Sequence, residues 1–246
     1  MTGIIAVGVV AVVVVGVWLG YRFVTTSSRF AITSIEVRGN HRLATDAIVA
    51  ELPVHVGDNV FAANVDDITS RLRGEPWIAS VDARRILPHT IVIEIRERVA
   101  AAVVELGGPY LVDVAGHPFK RAEHDAEIEN LPWIDWTDRD AGRVRFLRDP
   151  DATAQTICDA LATLATWQAD PARPAITRVH IDAHGAITLD SATTTIQLGV
   201  LGPSLPSRIH TFDAAWADLG DDERARARAV HLDVRPDHLT VAFAKD

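Results

Sequence analysis

Cysteine is nearly missing from this sequence: Cys158 is the one residue of its kind among 246. No intramolecular disulfide and no multi-cysteine metal site can therefore form, although an oxidising compartment stays open to the chain. Cys158 falls in an apolar helical pattern, which predicts a buried small hydrophobe rather than a reactive thiol. Positive charge is in deficit as well, with 24 Lys and Arg against 33 Asp and Glu and a formal net charge of −9. A nucleic acid held by phosphate neutralisation wants a basic surface, so that partner class is excluded. Also missing are a Gly-rich phosphate loop, a Ser nucleophile elbow and a zinc-protease helix motif. The nearest approach to chemistry is His180, Asp182 and His184, which would project from one face of a strand and offer metal ligands. No further His or carboxylate motif accompanies them, and a polar strand tip explains them as well. A metallo-hydrolase built on these three is the weak alternative. The expectation is no enzyme, with no catalytic, cofactor or metal residue assigned and no cofactor.

What the chain does have is apolar content, 48% hydrophobic, enough for a sizeable core. Part of it is concentrated at the start. Ile4 to Tyr21 is an unbroken run of apolar residues and glycine, about 27 Å long if helical and close to the roughly 20 residues a bilayer needs. No basic residue precedes the run and no A-x-A-like exit follows it, so a retained anchor over residues 1–25 is expected rather than a cleaved signal, with membrane contact through residues 4–21. Arg22 and Arg29 lie downstream. The positive-inside rule alone would put them in the cytoplasm, but large downstream domains translocate largely regardless of charge.

The next stretch, residues 30–98, reads as a complete small module in the order β, α, α, β, β. Ile32, Ile35 and Val37 alternate with polar residues up to a turn at Gly39-Asn40. A short helix follows, with Thr45 expected as its N-cap, Ile48, Val49 and Leu52 at helical spacing, and Pro53 as its stop. In NVDDITSRLRG, Asn64 caps a second helix, Asp66 and Asp67 sit at its positive end, Arg71 and Arg73 at its negative end, and Gly74 closes it. WIASVDARRIL, a turn at Pro88 and TIVIEIRER give two strands, with Ile91, Ile93 and Ile95 on one face and Glu94 and Arg96 on the other. Trp77 is expected in the core of this module. Arg84 and Arg85 read as a solvated face or a docking patch.

Residues 99–246 read as a mixed β-rich domain with packed helices, which makes the whole chain α+β. VAAAVVEL is a strand and PYLVDVAGHPFKRA a hairpin turning at Gly116. From Ala152 to Trp167 an amphipathic helix carries Ile157, Leu161, Leu164 and Trp167. ITRVHID, AITLD and TTIQLG form a meander, and Leu205, Ile209, Phe212, Trp216 and Leu219 a second helical stripe. Both aromatic stripes are read as core. DDERARARA fits a helical turn or an extended linker, and HLDVRPDHLTVAF a closing hairpin.

The phrases IEVRGNHRLATDAI, GDNVFAANVDDITSRL, PWIASVDARRILPHTIVIEIRER and YLVDVAGHPFKRA resemble the FtsQ/DivIB family of bacterial cell-division proteins, and the βααββ module resembles a POTRA domain. The likeness is strong over residues 32–121. It implies a single-pass type II protein of the inner membrane at the septum, with most of the chain outside the cytoplasm. The implied function is that of a non-catalytic scaffold linking early and late division proteins and helping regulate septal peptidoglycan synthesis through FtsB and FtsL. Family members usually carry a basic cytoplasmic tail, and a start upstream of this Met1 would account for the lack of one here. An anchored POTRA protein of a secretion or envelope-assembly system is the nearer alternative, but it would bring repeated POTRA modules or a following β-barrel.

The resemblance also implies where a partner docks. Asp233 and Arg235 match the family's Asp-x-Arg, while Pro236 stands where tyrosine is usual, a following glycine is missing and the segment is one residue shorter. A terminal strand at a sheet edge offers unpaired amides and carbonyls, so β-strand addition is expected along Leu239, Thr240, Val241, Ala242 and Phe243. Alternation puts Leu239, Val241 and Phe243 on the packed face and Thr240 and Ala242 outward. Proline at Thr240 would probe this, provided that residue's amide points away from the neighbouring strand.

Overall fold

The structure is a computed structural model that describes the backbone of residues 2–235 and 238–244 and the side chains of 11–138, 140–232 and 239–244. Its chain forms two compact units, Met1–Arg98 and Val99–Asp246. The first opens with helix α1 (Thr2–Thr26). Among the described residues no helix is long and apolar enough to cross a membrane. The expected span falls partly outside them, because the side chains of residues 4–10 are not described.

Beyond α1 come β1 (Ser34–Arg38), α2 (Thr45–Ala50), α3 (Val65–Leu72), β2 (Ile78–Ile86) and β3 (Thr90–Glu97), in the βααββ order read from the sequence. Strand β3 is central, parallel to β1 and antiparallel to β2. Alternation along β3 sends Ile91, Ile93 and Ile95 to one face, where they meet Ile48 and Leu52 from the α2 segment and Ile68 and Leu72 from α3. As expected, Asn64 caps α3 by accepting the Asp66 amide. Thr45 does not cap α2. The N-cap is Ala44, and Thr45 Oγ1 accepts from Asn40 Nδ2, 3.1 Å away, while the same amide donates to the Leu43 carbonyl.

Asn40 therefore organises the loop from its side chain rather than only turning the backbone. The Glu97 carboxylate holds the loop from the other side, accepting the Arg42 and Leu43 amides at 2.8 and 2.9 Å. Burial raises its pKa, but these amides outweigh it and leave the group below its ordinary value. Gly39, at φ +83°, is required by position as well as conformation, since a Cβ there would run into the Ile95 carbonyl.

Trp77 is buried at 8% exposure, with the Arg42 guanidinium 3.7 Å over its ring. Because an exposed arginine covers one face, Trp77→Ala should cost about 3 kcal/mol, the low end for large aromatic truncations. Denaturant unfolding of the first unit checks this, and a loss under about 1 kcal/mol would make the ring dispensable to the fold. Neither arginine of the suggested docking patch is idle: Arg84 pairs with Glu94 at 2.6 Å, and Arg85 donates twice to the Ala63 carbonyl.

The second unit is one nine-stranded sheet. Its strands are β4 (Ala102–Glu105), β5 (Pro109–Val112), β6 (Pro118–Arg121), β7 (Trp133–Trp136), β8 (Ile176–Ile181), β9 (Ala186–Ser191), β10 (Thr195–Val200), β11 (Ala227–Arg235) and β12 (His238–Phe243). Their spatial order is β12-β11-β10-β9-β8-β7-β4-β5-β6. The meander β8–β9–β10 is antiparallel as expected, whereas β7 lies parallel to both β4 and β8, and β11 parallel to β10. Parallel neighbours need crossovers: α4 (Arg139–Arg148) with α5 (Pro150–Gln168) joins β7 to β8, α6 (Leu205–Asp218) with α7 (Asp221–Arg226) joins β10 to β11, and the β5–β6 hairpin with the segment after it joins β4 to β7.

One face of the sheet packs against α5 and α6. Trp167 and Phe212 are fully buried there with ring centroids 4.6 Å apart, and Trp216 stacks on Phe212 at 5.2 Å. Helix α5 begins earlier than its apolar stripe, because Asp149 accepts the Ala152 amide and Pro150 occupies the first turn. DDERARARA divides into α7 and the start of β11. Cys158 is not fully buried as expected. It is half-buried, with Sγ 3.8 Å from the Val114 carbonyl in the β5–β6 turn.

Candidate functional site at the free edge of the large sheet

Strands β11 and β12 pair antiparallel with His231 opposite Thr240, Val230 opposite Val241 and Ala229 opposite Ala242. A bulge at Arg228 then brings Ala227 opposite Phe243. The start of β11 is fixed from below, where buried Thr194 donates to the Ala227 carbonyl at 3.0 Å. Beyond β12 no described strand follows, so six residues, about 20 Å of backbone, form an open edge.

Four of the five side chains fall as alternation requires, and Phe243, expected on the packed face, does not. Leu239 and Val241 pack on the core with α6 beneath the strand, Thr240 and Ala242 are exposed, and Phe243 is 43% exposed at the strand end. The amides run the other way from the expectation for Thr240. Ala244 donates its amide to the Arg226 carbonyl at 2.9 Å, and amide direction alternates along a strand. Ala242 and Thr240 thus face β11, while Leu239, Val241 and Phe243 carry the outward amides. Thr240→Pro would break the hairpin itself. Of the remaining expected contacts, Asp233 and Arg235 have backbones in β11, one strand in from the edge, and their side chains lie outside the described residues, as do Pro236 and Asp237 altogether.

The sheet face opposite α5 and α6 carries a polar row that sequence spacing missed. Register aligns Asp135, His180, Thr188, Gln197, His231 and Thr240 across six strands, ending at the free edge. His180 sits between two carboxylates, with Nδ1 against Asp135 and Nε2 2.8 Å from Asp190. Arg178 adds a 2.6 Å bond to Asp135, Asp190 also accepts from Thr195, and His231 meets Gln197 at 2.7 Å. Asp182 and His184 do not join this group. They lie in the β8–β9 turn, where Asp182 accepts the His184 and Ala186 amides, and among the described residues no group of three His, Cys, Asp or Glu is placed to hold a metal. Only pairing partners across β7 and β9, which spacing along β8 cannot show, reveal where His180 points.

The hydrogen bond to Asp135 is the chief reason that the His180 pKa is raised above its ordinary 6.5; burial opposes it, and the charges of Asp135 and Asp190 add to it. Burial pushes Asp135 up, but the bonds from His180 and Arg178 more than reverse this and leave it below 3.8. A raised histidine stabilises the fold fully below its unfolded pKa and loses that contribution as pH rises through the folded value. Stability of the second unit should therefore fall as pH climbs from about 6.5 upward, and His180→Asn should flatten that slope. Urea midpoints across this range check it; an unchanged slope in the variant would assign the dependence elsewhere. Both ring nitrogens of His180 are thus engaged by carboxylates from the strands on either side.

The βααββ module is of the POTRA class, and residues 30–98 match the family described as POTRA domain, FtsQ-type. The chain is 34% identical over 233 residues to the cell division protein FtsQ of Anaeromyxobacter sp. (strain K), which covers 92% of this chain and 76% of that one. FtsQ of Syntrophotalea carbinolica is also 34% identical, over 138 residues, 56% of this chain and 47% of its own. The cell division protein DivIB of Clostridium tetani is 26% identical over 106 residues, 43% and 39% of the two chains. This chain belongs to the FtsQ/DivIB family of cell-division proteins.

Proposed function

We propose that the chain is a membrane-anchored, non-catalytic scaffold of the division machinery that captures a strand of FtsB, and with it FtsL, on the open edge of β12. In this reading residues 1–25 anchor the protein, 30–98 form the POTRA domain and 99–246 the docking domain outside the cytoplasm. The scaffold links early and late division proteins and helps regulate septal peptidoglycan synthesis. The observation that carries it is the edge itself: a terminal strand whose Leu239, Val241 and Phe243 amides and carbonyls turn away from β11, with the Leu239 and Val241 side chains packed on the core. Main-chain pairing of this kind supplies affinity, while the exposed Thr240, Ala242 and Phe243 select the partner's side chains. Asp233 and Arg235, near the hairpin, would add charged contacts to it.

Two measurements test the reading. A reporter fused after Asp246 should be active outside the cytoplasm, and the full chain purified from membranes should bring down FtsB. Cytoplasmic reporter activity would sink the placement, and a preparation free of FtsB at native expression would sink the docking assignment.

A further inference from the structure

Among the described residues of the first unit beyond α1, the large apolar side chains that are exposed, Val56, Ile86 and Leu87, lie at one end of the small sheet, the end from which α1 emerges. Strand β1 starts at Ser34 opposite Thr90 of β3, so the β2–β3 turn lies beside the beginning of β1. The Thr33 amide donates to the His89 carbonyl there at 2.9 Å. The loop 55–58 reaches the same place, with Ile32 donating to the Asp58 carbonyl and Gly57 donating back to Ile32. In this loop Val56 is 65% exposed, and at the β2–β3 turn Ile86, the last residue of β2, and Leu87 after it are 46% and 56% exposed. Scattered exposed apolar residues need no explanation, but three at one end beside an apolar helix do.

Helix α1 is joined to that end without slack. Asn59 Nδ2 donates to the Val24 carbonyl at 2.9 Å and lies 3.4 Å from the Ser27 carbonyl, clamping the last turn of α1 onto the loop after Val56. The exposed apolar surface of α1 continues to Phe23, only three residues, about 5 Å, before the helix ends at Thr26. The headgroup layer on each side of a bilayer is roughly 5 to 8 Å thick. A helix inserted to Phe23 therefore brings its clamped unit into that layer rather than above it.

We propose that this end of the unit is a lipid-contacting surface, with Val56, Ile86 and Leu87 seated among the headgroups of the bilayer that α1 enters. The proposal rests on the reading that α1 is an anchor. Charge agrees with it: Arg22, lying 5.5 Å over the Trp18 ring, and exposed Arg29 flank the helix end, where anionic headgroups would meet them. The exposed acid of the loop, Asp58, is turned back to accept the His55 amide at 2.7 Å. Seating would fix the tilt of the unit on the membrane, and not merely tether it.

The full chain carrying Cys158→Ser tests this with one environment-sensitive fluorophore at a time on Val17→Cys, Val56→Cys, Leu87→Cys or His41→Cys. His41 follows β1 at the opposite end of the sheet, about 25 Å away along β3. Each is reconstituted into phosphatidylcholine–phosphatidylglycerol vesicles with lipids spin-labelled at the headgroup or deep in the acyl chain. Expected is loss of most fluorescence at Val17 with the deep label, loss at Val56 and Leu87 with the headgroup label, and none at His41. Deep quenching at Val17 with Val56 and Leu87 as bright as His41 overturns the proposal and leaves the anchor intact. Absence of quenching at Val17 removes the anchor reading and the proposal together.

Discussion

Replacing Trp167 with alanine should cost the second unit about 4 to 5 kcal/mol, the upper end for removal of a large buried aromatic. The ring is fully buried, and its Nε1 donates to the Pro174 carbonyl at 3.0 Å, which pins the chain between α5 and β8. Phe212 of α6 rests on one side of it and Arg173 lies 5.6 Å from its centre. That arginine also forms a two-pronged bond with Asp213 of α6, at 2.7 and 2.9 Å, and donates to the Thr166 and Trp167 carbonyls at the end of α5. Truncation thus leaves a cavity at the point where both crossover helices meet. Domains are commonly stable by about 5 to 15 kcal/mol, so the loss consumes much of what the unit has. Hydrogen exchange of α5 amides in the full chain isolates this unit from the first. Trp167→Phe, which keeps a ring against Phe212 but gives up the Pro174 bond, should cost about 1 to 2 kcal/mol. Equal exchange in all three proteins would mean that the junction is held by Arg173 and not by the ring.

The elements read most securely from the sequence are those whose signals are local. The Asn64 cap, the charge order along α3 and the Gly74 stop act within one helix, and the alternation of Ile91, Ile93 and Ile95 needs only the strand it lies on. Misreadings fall where a partner distant in sequence decides. Thr45 has the right chemistry for a cap, but Asn40 and Glu97 hold the loop so that Ala44 takes the position. Helix α4 gives almost no amphipathic signal: it is short and rich in arginine, and its start is set by the Asp138 cap. Strand β7 contributes four residues between two parallel neighbours far away in the chain, so no turn beside it announces a strand.

The candidate site divides along the same line. That a terminal hairpin would end a sheet was legible in HLDVRPDHLTVAF, because alternation and the turn are local. Which amides face out was not, because it depends on register with β11 and on the bulge at Arg228. His180 shows the converse error: sequence spacing grouped it with Asp182 and His184, while cross-strand neighbours give it Asp135 and Asp190.

Register turns the docking proposal into a sharp experiment at Val241. Its amide points away from β11, so Val241→Pro removes a donor that the folded hairpin does not use, and edge strands tolerate proline where the amide side is open. An incoming strand would lose that hydrogen bond and also meet the pyrrolidine ring. One bond is worth roughly 0.5 to 1.5 kcal/mol net, and with the steric conflict the expected loss of FtsB affinity exceeds about tenfold. Val241→Thr keeps the amide and the branched shape and should bind nearly as the parent, as should Ala242→Ser on the exposed face. Thr240→Pro should lose binding for a different reason, by breaking the pairing with His231, and its β11 amides should exchange rapidly while those of Val241→Pro stay protected. Co-purification of FtsB with the four full-length variants, read beside that exchange, separates a blocked edge from a melted one. Parent-like binding by a protected Val241→Pro would falsify strand addition at β12.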